Sequence, residues 1–326
     1  MNASRTIDTL LDRSIALGYG SLGLKARRRL PGWPDDPPRM DGKVVLVTGA
    51  GSGIGHSACV GFARLGASVR ALGRTDQRAR EATDLVLGAV PGADVSPVAC
   101  DVSSLAALRA FAEGFTQTES RLDVLVNNAG VMPGARTRSA DGHELMFATH
   151  VLAPFALIAL LQGLLEASAP SRVINVSSGG MYSQRIPTDD LESEAVEYSP
   201  KKFYARTKRE EVAISEMWAE RLSGRGVAVH AMHPGWVDTE GVRRYMPVFR
   251  TVTQPIIRDA EDGADTIVWL GAAPEAVTTT GGFWHDRRRR PTRYALGPAE
   301  DSPHDRQRLW DTCRSLLQDA GIAIGD

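Results

Sequence analysis

The chain has 326 residues with 38 basic and 39 acidic side chains, giving a formal net charge of −1. This length suits one large α/β domain or two ordinary ones, and the balanced charge gives no support for nucleic acid as a partner. Three scattered cysteines, Cys59, Cys100 and Cys313, form neither a disulfide framework nor a metal-binding pair, which favours buried thiols in a reducing, cytoplasmic compartment and no metal site.

The first 40 residues are predicted to precede the main domain. Residues 5–17 place four apolar side chains on one helical face, Ile7, Leu10, Leu11 and Ile15. A basic run at 25–29 and a proline-rich run at 31–38 follow, so we expect an amphipathic helix and an extended linker over residues 1–40. The helix either docks on its own domain or a subunit neighbour, or makes a weak contact with a membrane surface, which the arginines favour. We find no apolar run near the ~20 residues of a membrane span.

A strand, a glycine-rich turn and a helix are predicted over residues 43–66. The strand starts with four apolar residues in a row, as in parallel strands buried on both faces. In the turn Thr-Gly-x-x-x-Gly-x-Gly at 48–55, Gly49 allows the tight turn, Gly53 lets the backbone approach a pyrophosphate, and Gly55 lets the helix sit close to the strand. The free N–H groups of the helix start would face the phosphates. Small-residue turns also arise for packing alone.

Strands and helices alternate through the main domain, which we place at residues 41–290. Further strands are predicted at 67–73, 95–100, 122–127, 171–177, 227–230 and 282–284. Helices are predicted at 77–87, 105–115, within 141–166, at 203–222 and at 260–270, with a last helix starting at Ser302-Pro303 in the tail, 291–326. The alternation predicts an α/β fold, a single Rossmann-like domain with a doubly wound parallel sheet, an N-terminal helical extension and a C-terminal helix. Residues 236–257 are apolar and irregular, which suits a mobile flap over a ligand site.

Three side chains could carry proton chemistry. Tyr204 and Lys208 are one helical turn apart on the same face. An unassisted phenol is a poor base at neutral pH, but a nearby ammonium stabilises the phenolate and would make Tyr204 a general acid/base. Ser178 ends the fifth strand, at the sheet edge where ligands bind, and its hydroxyl could hold a substrate oxygen.

The ordered set of motifs is far more specific than any one of them. It comprises Thr48–Gly55, Asn127–Gly130, Ser178, Tyr204 with Lys208, and Pro234-Gly235. With this set the chain resembles the short-chain dehydrogenase/reductase superfamily over about residues 40–290. The glycine spacing resembles the oxidoreductase type, since the extended type has glycine where Ser52 stands. The long insert before Tyr204 and the run at 232–242 resemble the subgroup named dehydrogenase/reductase SDR family member 12.

The resemblance implies roles for individual residues. Tyr204 would transfer the proton, Lys208 would hold the nicotinamide ribose, and Ser178 would position the carbonyl. Three groups of residues would also bind the dinucleotide. The turn contributes Gly49, Ser52, Gly53, Ile54 and Gly55. The adenosine side would be lined by Asn128, Ala129 and Gly130, with Asp101 and Val102 near the adenine. The nicotinamide would be held by Pro234, Gly235, Val237 and Thr239. Family likeness also implies a homodimer or homotetramer.

One position departs from the family pattern. An asparagine that helps relay protons is usual where this chain has His150. His150 could take over by anchoring a water or by donating a hydrogen bond itself. The alternative is a histidine that only fills the gap between helices.

Cofactor choice depends on the end of the second strand. A carboxylate there would select NAD through the ribose 2′-OH, whereas an arginine suits a 2′-phosphate. Arg74 stands at this place and position 73 holds no acid. We therefore expect NADP(H) to be favoured over NAD(H), with a solvated helix-entry charge as the alternative role of Arg74.

The leading hypothesis is an NADP(H)-dependent oxidoreductase that interconverts a carbonyl and an alcohol on an apolar small molecule. Its rival is a dinucleotide-binding scaffold or redox sensor that has lost turnover, with His150 as its main support. The charge run Arg287–Arg290 is predicted to be a solvated surface. Seven apolar side chains either line a substrate pocket or pack the insert: Met181, Tyr182, Phe203, Trp236, Tyr245, Met246 and Phe249.

Overall fold

The computed structural model describes residues 3–295 and 297–324, except for the side chains of residues 3, 15 and 16, so the predicted apolar position Ile15 lies outside the described side chains. Within these residues the strands are β1 (Val44–Thr48), β2 (Ser68–Gly73), β3 (Val95–Ala99), β4 (Val124–Asn127), β5 (Ser171–Val176), β6 (Val227–Met232), β7 (Gly282–His285) and β8 (Arg288–Arg290). The α-helices are α1 (Ala3–Arg13), α2 (Ile15–Tyr19), α3 (Ser21–Arg28), α4 (Gly53–Arg64), α5 (Asp76–Ala89), α6 (Leu105–Thr118), α7 (Leu145–Phe147), α8 (Ala153–Ala167), α9 (Pro200–Arg221), α10 (Glu240–Tyr245), α11 (Pro247–Thr253), α12 (Ala260–Ala272) and α13 (Pro303–Asp319).

The strands form one sheet in the order β3-β2-β1-β4-β5-β6-β7-β8, parallel except for the antiparallel edge strand β8. The alternating residues of β1 show that helices cover both faces of the sheet. Val44 and Leu46 belong to one buried cluster with residues of α6, α8, α9 and α13, whereas Val45 and Val47 belong to a second cluster with α4, α5 and α12. The predicted doubly wound parallel sheet is confirmed. Because the strand order reverses between β1 and β4, a crevice for ligands is expected at their carboxyl ends.

The longest apolar helix is a core element. Residues 145–167 form one continuous helical segment in which a π-helical turn, residues 148–152, joins α7 to α8. By length and composition this segment could cross a membrane, and most of it is buried inside the fold. The expectation of no apolar run of membrane-spanning length overlooked this segment because His150, Pro154 and Gln162 interrupt its apolar pattern.

The N-terminal segment forms three helices, α1 to α3, where one helix and a linker were predicted. Helix α1 docks on its own domain with its polar face inward, since Asp8 and Asp12 are buried. Its apolar residues Ile7 and Leu10 are 45% and 65% exposed. Asp8 accepts hydrogen bonds from Arg290 at 2.8 and 3.0 Å, so charge pairing, not apolar burial, orients this helix.

The expectation of a solvated run Arg287–Arg290 is wrong for its two ends, which are each 7% exposed. Arg287 pairs with Asp265 at 2.7 Å and Arg290 pairs with Asp8 at 2.8 Å. The turn between β7 and β8 holds Asp286 and Arg287 at φ values of 51° and 52°, the left-handed region that a two-residue hairpin requires. Strand β8 was missed because three arginines do not read as a strand.

The irregular flap expected at residues 236–257 is largely helical, which corrects that prediction. It contains α10 and α11, and Asp238 links them through Arg243 at 3.1 Å and Arg250 at 2.8 Å. The first turn of α13 follows the prediction: Ser302 Oγ accepts from the Asp305 N–H, and the Asp305 carboxylate accepts from the Ser302 N–H.

Candidate active site

The glycine turn lies at the carboxyl end of β1 and leaves no room for a side chain at Gly49 or Gly55. A Cβ atom on Gly55 would lie 2.2 Å from the carbonyl oxygen of Gly49, and one on Gly49 would lie 2.9 Å from the Cα of Ala129. Gly49 and Gly53 both have positive φ values, 68° and 53°. Ser52 occupies the N-cap position of α4, and half-buried Ile54 follows in its first turn. The turn therefore exposes backbone N–H groups, as a dinucleotide phosphate requires.

Thr48 and Asn128 hold this turn against the end of β4. The Thr48 hydroxyl accepts hydrogen bonds from the N–H groups of Asn128 at 2.9 Å and Ala129 at 3.0 Å. The Asn128 side chain donates in return to the carbonyl oxygens of Thr48 at 2.9 Å and Gly49 at 3.3 Å. The predicted phosphate turn and the predicted Asn128–Gly130 segment are thus brought into direct contact.

Ser178 follows β5 at the same edge of the sheet. Its Oγ accepts a hydrogen bond from the Gly180 N–H at 3.2 Å, which leaves the hydroxyl hydrogen free to donate. The preceding Ser177 is buried and donates to the carbonyl oxygen of Lys208 at 2.7 Å. This bond ties the strand end that carries Ser178 to helix α9.

Tyr204 and Lys208 lie on α9 beside this strand end. Lys208 is buried, and its Nζ is 5.8 Å from the centre of the Tyr204 ring. Its ammonium donates to the carbonyl oxygen of Val176 at 2.8 Å and to Glu211 at 2.9 Å. Sequence reasoning missed Glu211, although its spacing of three residues from Lys208 is a signal.

The Glu211 carboxyl is buried next to this ammonium. Burial raises the pKa of Glu211, and the nearby Lys208 charge partly offsets this increase. The resulting pKa is about 7. The Glu211 carboxyl beside Lys208 therefore ionises at a higher pH than an exposed glutamate would.

His150 lies in the π-helical turn and is fully buried. Its Nε2 accepts a hydrogen bond from the Val131 N–H at 3.0 Å, so Nδ1 carries the proton and donates to the Thr207 hydroxyl at 2.8 Å. Burial, together with the Lys208 charge, holds the pKa of His150 well below its ordinary value. The neutral ring meets the Tyr204 ring edge-on, with centroids 5.4 Å apart. His150 thus joins the loop after β4 to the helix that carries Tyr204.

The predicted adenosine end lies where β2 and β3 finish. Arg74 is exposed, and in the described part of the chain its guanidinium makes no hydrogen bond or ion pair. A Cβ on Gly73 would lie 2.5 Å from the Ala79 nitrogen, so no carboxylate fits at that position. Asp101 accepts from the N–H and hydroxyl of Ser103 at 3.0 and 2.7 Å, which fixes the turn that contains Val102.

The predicted nicotinamide loop follows β6. Arg258 donates to the carbonyl oxygen of Pro234 at 3.2 Å, and Gly235 has a φ of 80°. Val237 is buried, and Thr239 caps α10. A Cβ on Gly53 would lie 3.8 Å from the Thr239 methyl group, so this loop meets the glycine turn across the crevice.

These residues fit a dinucleotide: the turn presents bare backbone, and Arg74 offers a free guanidinium at the far end. A family model for short chain dehydrogenases matches residues 43–247. The chain belongs to the short-chain dehydrogenase/reductase family. The resemblance predicted from the sequence motifs is confirmed.

Named relatives of this family cover most of the chain. Dehydrogenase/reductase SDR family member 12 from Bos taurus is 36% identical over 289 residues, which cover 87% of this chain and 90% of the relative. Retinol dehydrogenase 14 from Mus musculus is 36% identical over 325 residues, 93% of this chain and 95% of the relative. A solved structure, the Pseudomonas aeruginosa RhlG/NADP active-site complex, superimposes with a TM-score of 0.62 at 26% identity, covering 76% of this chain and 96% of the other.

Membership in this family makes the chain an NAD(P)-dependent oxidoreductase that interconverts carbonyl and alcohol groups of small molecules. The structure brings the predicted Ser178, Tyr204, Lys208 and His150 to one sheet edge, with the glycine turn and the Pro234 loop around them. The residues predicted either to line a substrate pocket or to pack the insert fall into two groups. Met181 and Phe203 are fully buried and pack the insert. Trp236 and Phe249 lie in the flap, where their rings meet edge-on with centroids 5.0 Å apart.

Proposed function

We propose that the protein is an NADP(H)-dependent oxidoreductase that interconverts a carbonyl and a primary or secondary alcohol on an apolar small molecule. The observation that carries this proposal is the position of Tyr204. Its half-buried ring lies between the neutral His150 ring and the Lys208 ammonium, beside the strand end that bears Ser178. When bound, the nicotinamide supplies or takes up the hydride.

The side chains would divide the remaining work. Ser178 uses its free hydroxyl hydrogen to hold the substrate oxygen. Tyr204 donates a proton to that oxygen on reduction and takes it back on oxidation, and Lys208 stabilises the phenolate. Because Glu211 and the Val176 carbonyl fix Lys208, its ammonium keeps one orientation during the reaction. His150 donates a hydrogen bond to the Thr207 hydroxyl, and that hydroxyl donates to the Tyr204 carbonyl oxygen at 3.0 Å. These two hydrogen bonds support the backbone of Tyr204.

Preference for NADP(H) is supported by Arg74 and Gly73. A 2′-phosphate needs a cationic partner, and a 2′-hydroxyl is selected by a carboxylate. Arg74 is exposed at the end of β2, and the close approach of α5 keeps any side chain away from position 73. The charge at this end of the crevice therefore favours the phosphorylated cofactor.

The Arg74→Ala substitution tests this preference. We expect the dissociation constant for NADPH to rise about 10- to 100-fold, the value of one charge-assisted hydrogen bond, while that for NADH changes little. Isothermal titration of the full chain with each cofactor measures both constants. Arg78→Ala is a matched control, since Arg78 is exposed nearby but already pairs with Glu81 at 3.1 Å. Tighter binding of NADH by the wild-type chain would refute the Arg74 argument and leave the chemistry of Tyr204 standing.

An apolar substrate agrees with the aromatic flap and with the name of the relative retinol dehydrogenase 14. Tyr245 of α10 lies 3.7 Å from where a Gly134 Cβ would be, so the flap reaches the loop after β4. The expected homodimer or homotetramer and the cytoplasmic location stay predictions.

A weak contact with a membrane surface is a second proposal, favoured by the orientation of the N-terminal helices. Among the described side chains of these helices, the exposed large apolar ones are Ile7, Leu10, Leu17 and Leu22, and the last two are 50% and 51% exposed. Their exposed charges include Arg5, Arg13, Lys25 and Arg29, while both of their acids, Asp8 and Asp12, are buried in ion pairs. An outward face that is apolar and basic fits an anionic bilayer. A two-fold dimer through this face would oppose like charges.

A triple variant, Leu10→Gln/Leu17→Gln/Leu22→Gln, tests the membrane contact. We expect its co-sedimentation with vesicles of phosphatidylcholine and phosphatidylglycerol to fall about tenfold, because apolar burial in the bilayer is lost. Leu85→Gln is the control, since Leu85 is 55% exposed on α5, away from these helices. Equal sedimentation of the wild type and the triple variant would count against the contact.

A further inference from the structure

One residue of the N-terminal segment lies directly against the active site. Tyr19 ends α2 and is 4% exposed, although the family model begins only at residue 43. Its ring contacts the rings of His233 at 4.6 Å, His285 at 5.3 Å and Trp236 at 6.2 Å, measured between centroids. His233 and Trp236 flank the Pro234-Gly235 pair of the predicted nicotinamide loop.

The Tyr19 ring also covers the residue after Ser178. A Cβ on Gly179 would lie 2.7 Å from Cε2 of Tyr19 and 3.3 Å from its Cδ2. The ring therefore rests on the Gly179 backbone and fills the volume that a side chain there would need. The ring therefore blocks movement of the Ser178 turn toward the N-terminal segment.

The backbone of Tyr19 supports the second loop. Its carbonyl oxygen accepts the Trp236 N–H at 2.9 Å, and a Cβ on Gly235 would lie 2.6 Å from that oxygen. Tyr19 thus contacts the Ser178 turn with its side chain and the Pro234 loop with its main chain. These are the two segments between which the substrate oxygen and the nicotinamide would meet.

Buried charges hold Tyr19 in this position. Arg27 donates to the Gly18 carbonyl oxygen at 2.7 Å, and Arg258 donates to those of Gly18 and Gly20 at 3.2 and 3.3 Å. Asp286 pairs with both guanidiniums. Burial raises the pKa of the Tyr19 phenol further above its ordinary value, so it stays protonated and acts through contact.

We propose that Tyr19 is a positioning residue for the reaction, which sets the distance between the Ser178 turn and the Pro234 loop. The inference rests on the proposed oxidoreductase function and adds to it a residue from outside the family domain. Loss of the ring lets Gly179 move, and a displacement of the Ser178 hydroxyl by about 1 Å can cost on the order of 100-fold in rate.

The contact between Tyr19 and Gly179 makes a reciprocal test possible in the full chain. Tyr19→Ala is expected to lower kcat for carbonyl reduction by about 10- to 100-fold and Tyr19→Phe, which keeps the ring, by less than about threefold. Gly179→Ala is expected to lower kcat as well, because its methyl group meets the Tyr19 ring. In the double variant Tyr19→Ala/Gly179→Ala the methyl group no longer meets the ring and occupies part of the space that the ring left, so kcat should recover above that of either single variant.

Controls separate this role from general loosening of the N-terminal segment. Trp33→Ala removes a ring from the same segment, where it stacks on Arg287 at 5.2 Å, and should leave kcat unchanged. Additive losses in the double variant, or a Tyr19→Ala enzyme with unchanged kcat, would overturn the positioning role. A wild-type chain that binds NADPH without turnover would instead overturn the proposed function, so the two failures are distinguishable.

Discussion

Tyr204→Phe is expected to lower kcat for carbonyl reduction by about 10²- to 10⁴-fold, the usual contribution of a positioned general acid. The ring stays between His150 and Lys208, so NADPH affinity should change by less than about tenfold. Steady-state rates measured with apolar aldehydes and ketones, together with titration of NADPH, separate the two effects.

Tyr198→Phe is the matched control for this prediction. The Tyr198 hydroxyl donates to the Pro133 carbonyl oxygen at 2.6 Å, so the variant loses one hydrogen bond near the site without touching the proposed chemistry. Its kcat should stay within about threefold of wild type. Equal kcat values for the wild type and Tyr204→Phe would refute the catalytic role of Tyr204. NADPH binding without turnover by either chain would then support the rival scaffold hypothesis.

Asp286→Asn is expected to lower the free energy of unfolding by about 3–5 kcal/mol. The carboxylate is 1% exposed and accepts hydrogen bonds from Arg27 at 2.5 Å and from Arg258 at 2.6 and 3.0 Å. Asparagine tolerates the positive φ of this position, so the variant removes charge and leaves the turn intact. Two buried guanidiniums would lose the negative charge that they share. Urea unfolding at pH 7 measures the loss.

The effect of this substitution should depend on pH with a defined sign. Burial alone would raise the pKa of Asp286, but His285, Arg258 and Arg27 lower it well below its ordinary value. Its stabilising contribution is therefore complete above about pH 4 and shrinks by about 1.4 kcal/mol for each pH unit below that. Glu261→Gln breaks an exposed ion pair with Arg64. It should lower the free energy of unfolding by no more than about 1 kcal/mol, both at pH 7 and below pH 4. A loss from Asp286→Asn as small as that of the control would contradict the argument.

Local patterns in the sequence predicted the parts of this fold that depend on local physics. The apolar run of β1, the glycine turn and the one-turn spacing of Tyr204 and Lys208 each follow from strand, turn or helix geometry. The sheet edge that gathers Ser178 and the Pro234 loop follows from the alternation of strands and helices.

The remainder depends on partners far away in the sequence. The orientation of α1 is set by Asp8, whose partner Arg290 comes 282 residues later. An apolar pattern cannot show that such a helix turns its acids inward. Tyr19 was missed for the same reason, because its contacts with Gly179 and Trp236 join segments with no common motif.

The ion pairs between α1 and β8 also impose an order on folding during synthesis. Asp8 leaves the ribosome long before Arg290 exists, and at cellular translation rates the interval is on the order of tens of seconds. Through that time the N-terminal helices lack the arginines of β8 and the β7–β8 hairpin on which they dock, although Asp8 can already pair with Arg27. The N-terminal helices therefore dock only after β8 has been made, and a nascent chain stopped before residue 286 lacks the ion pairs that fix them on the domain.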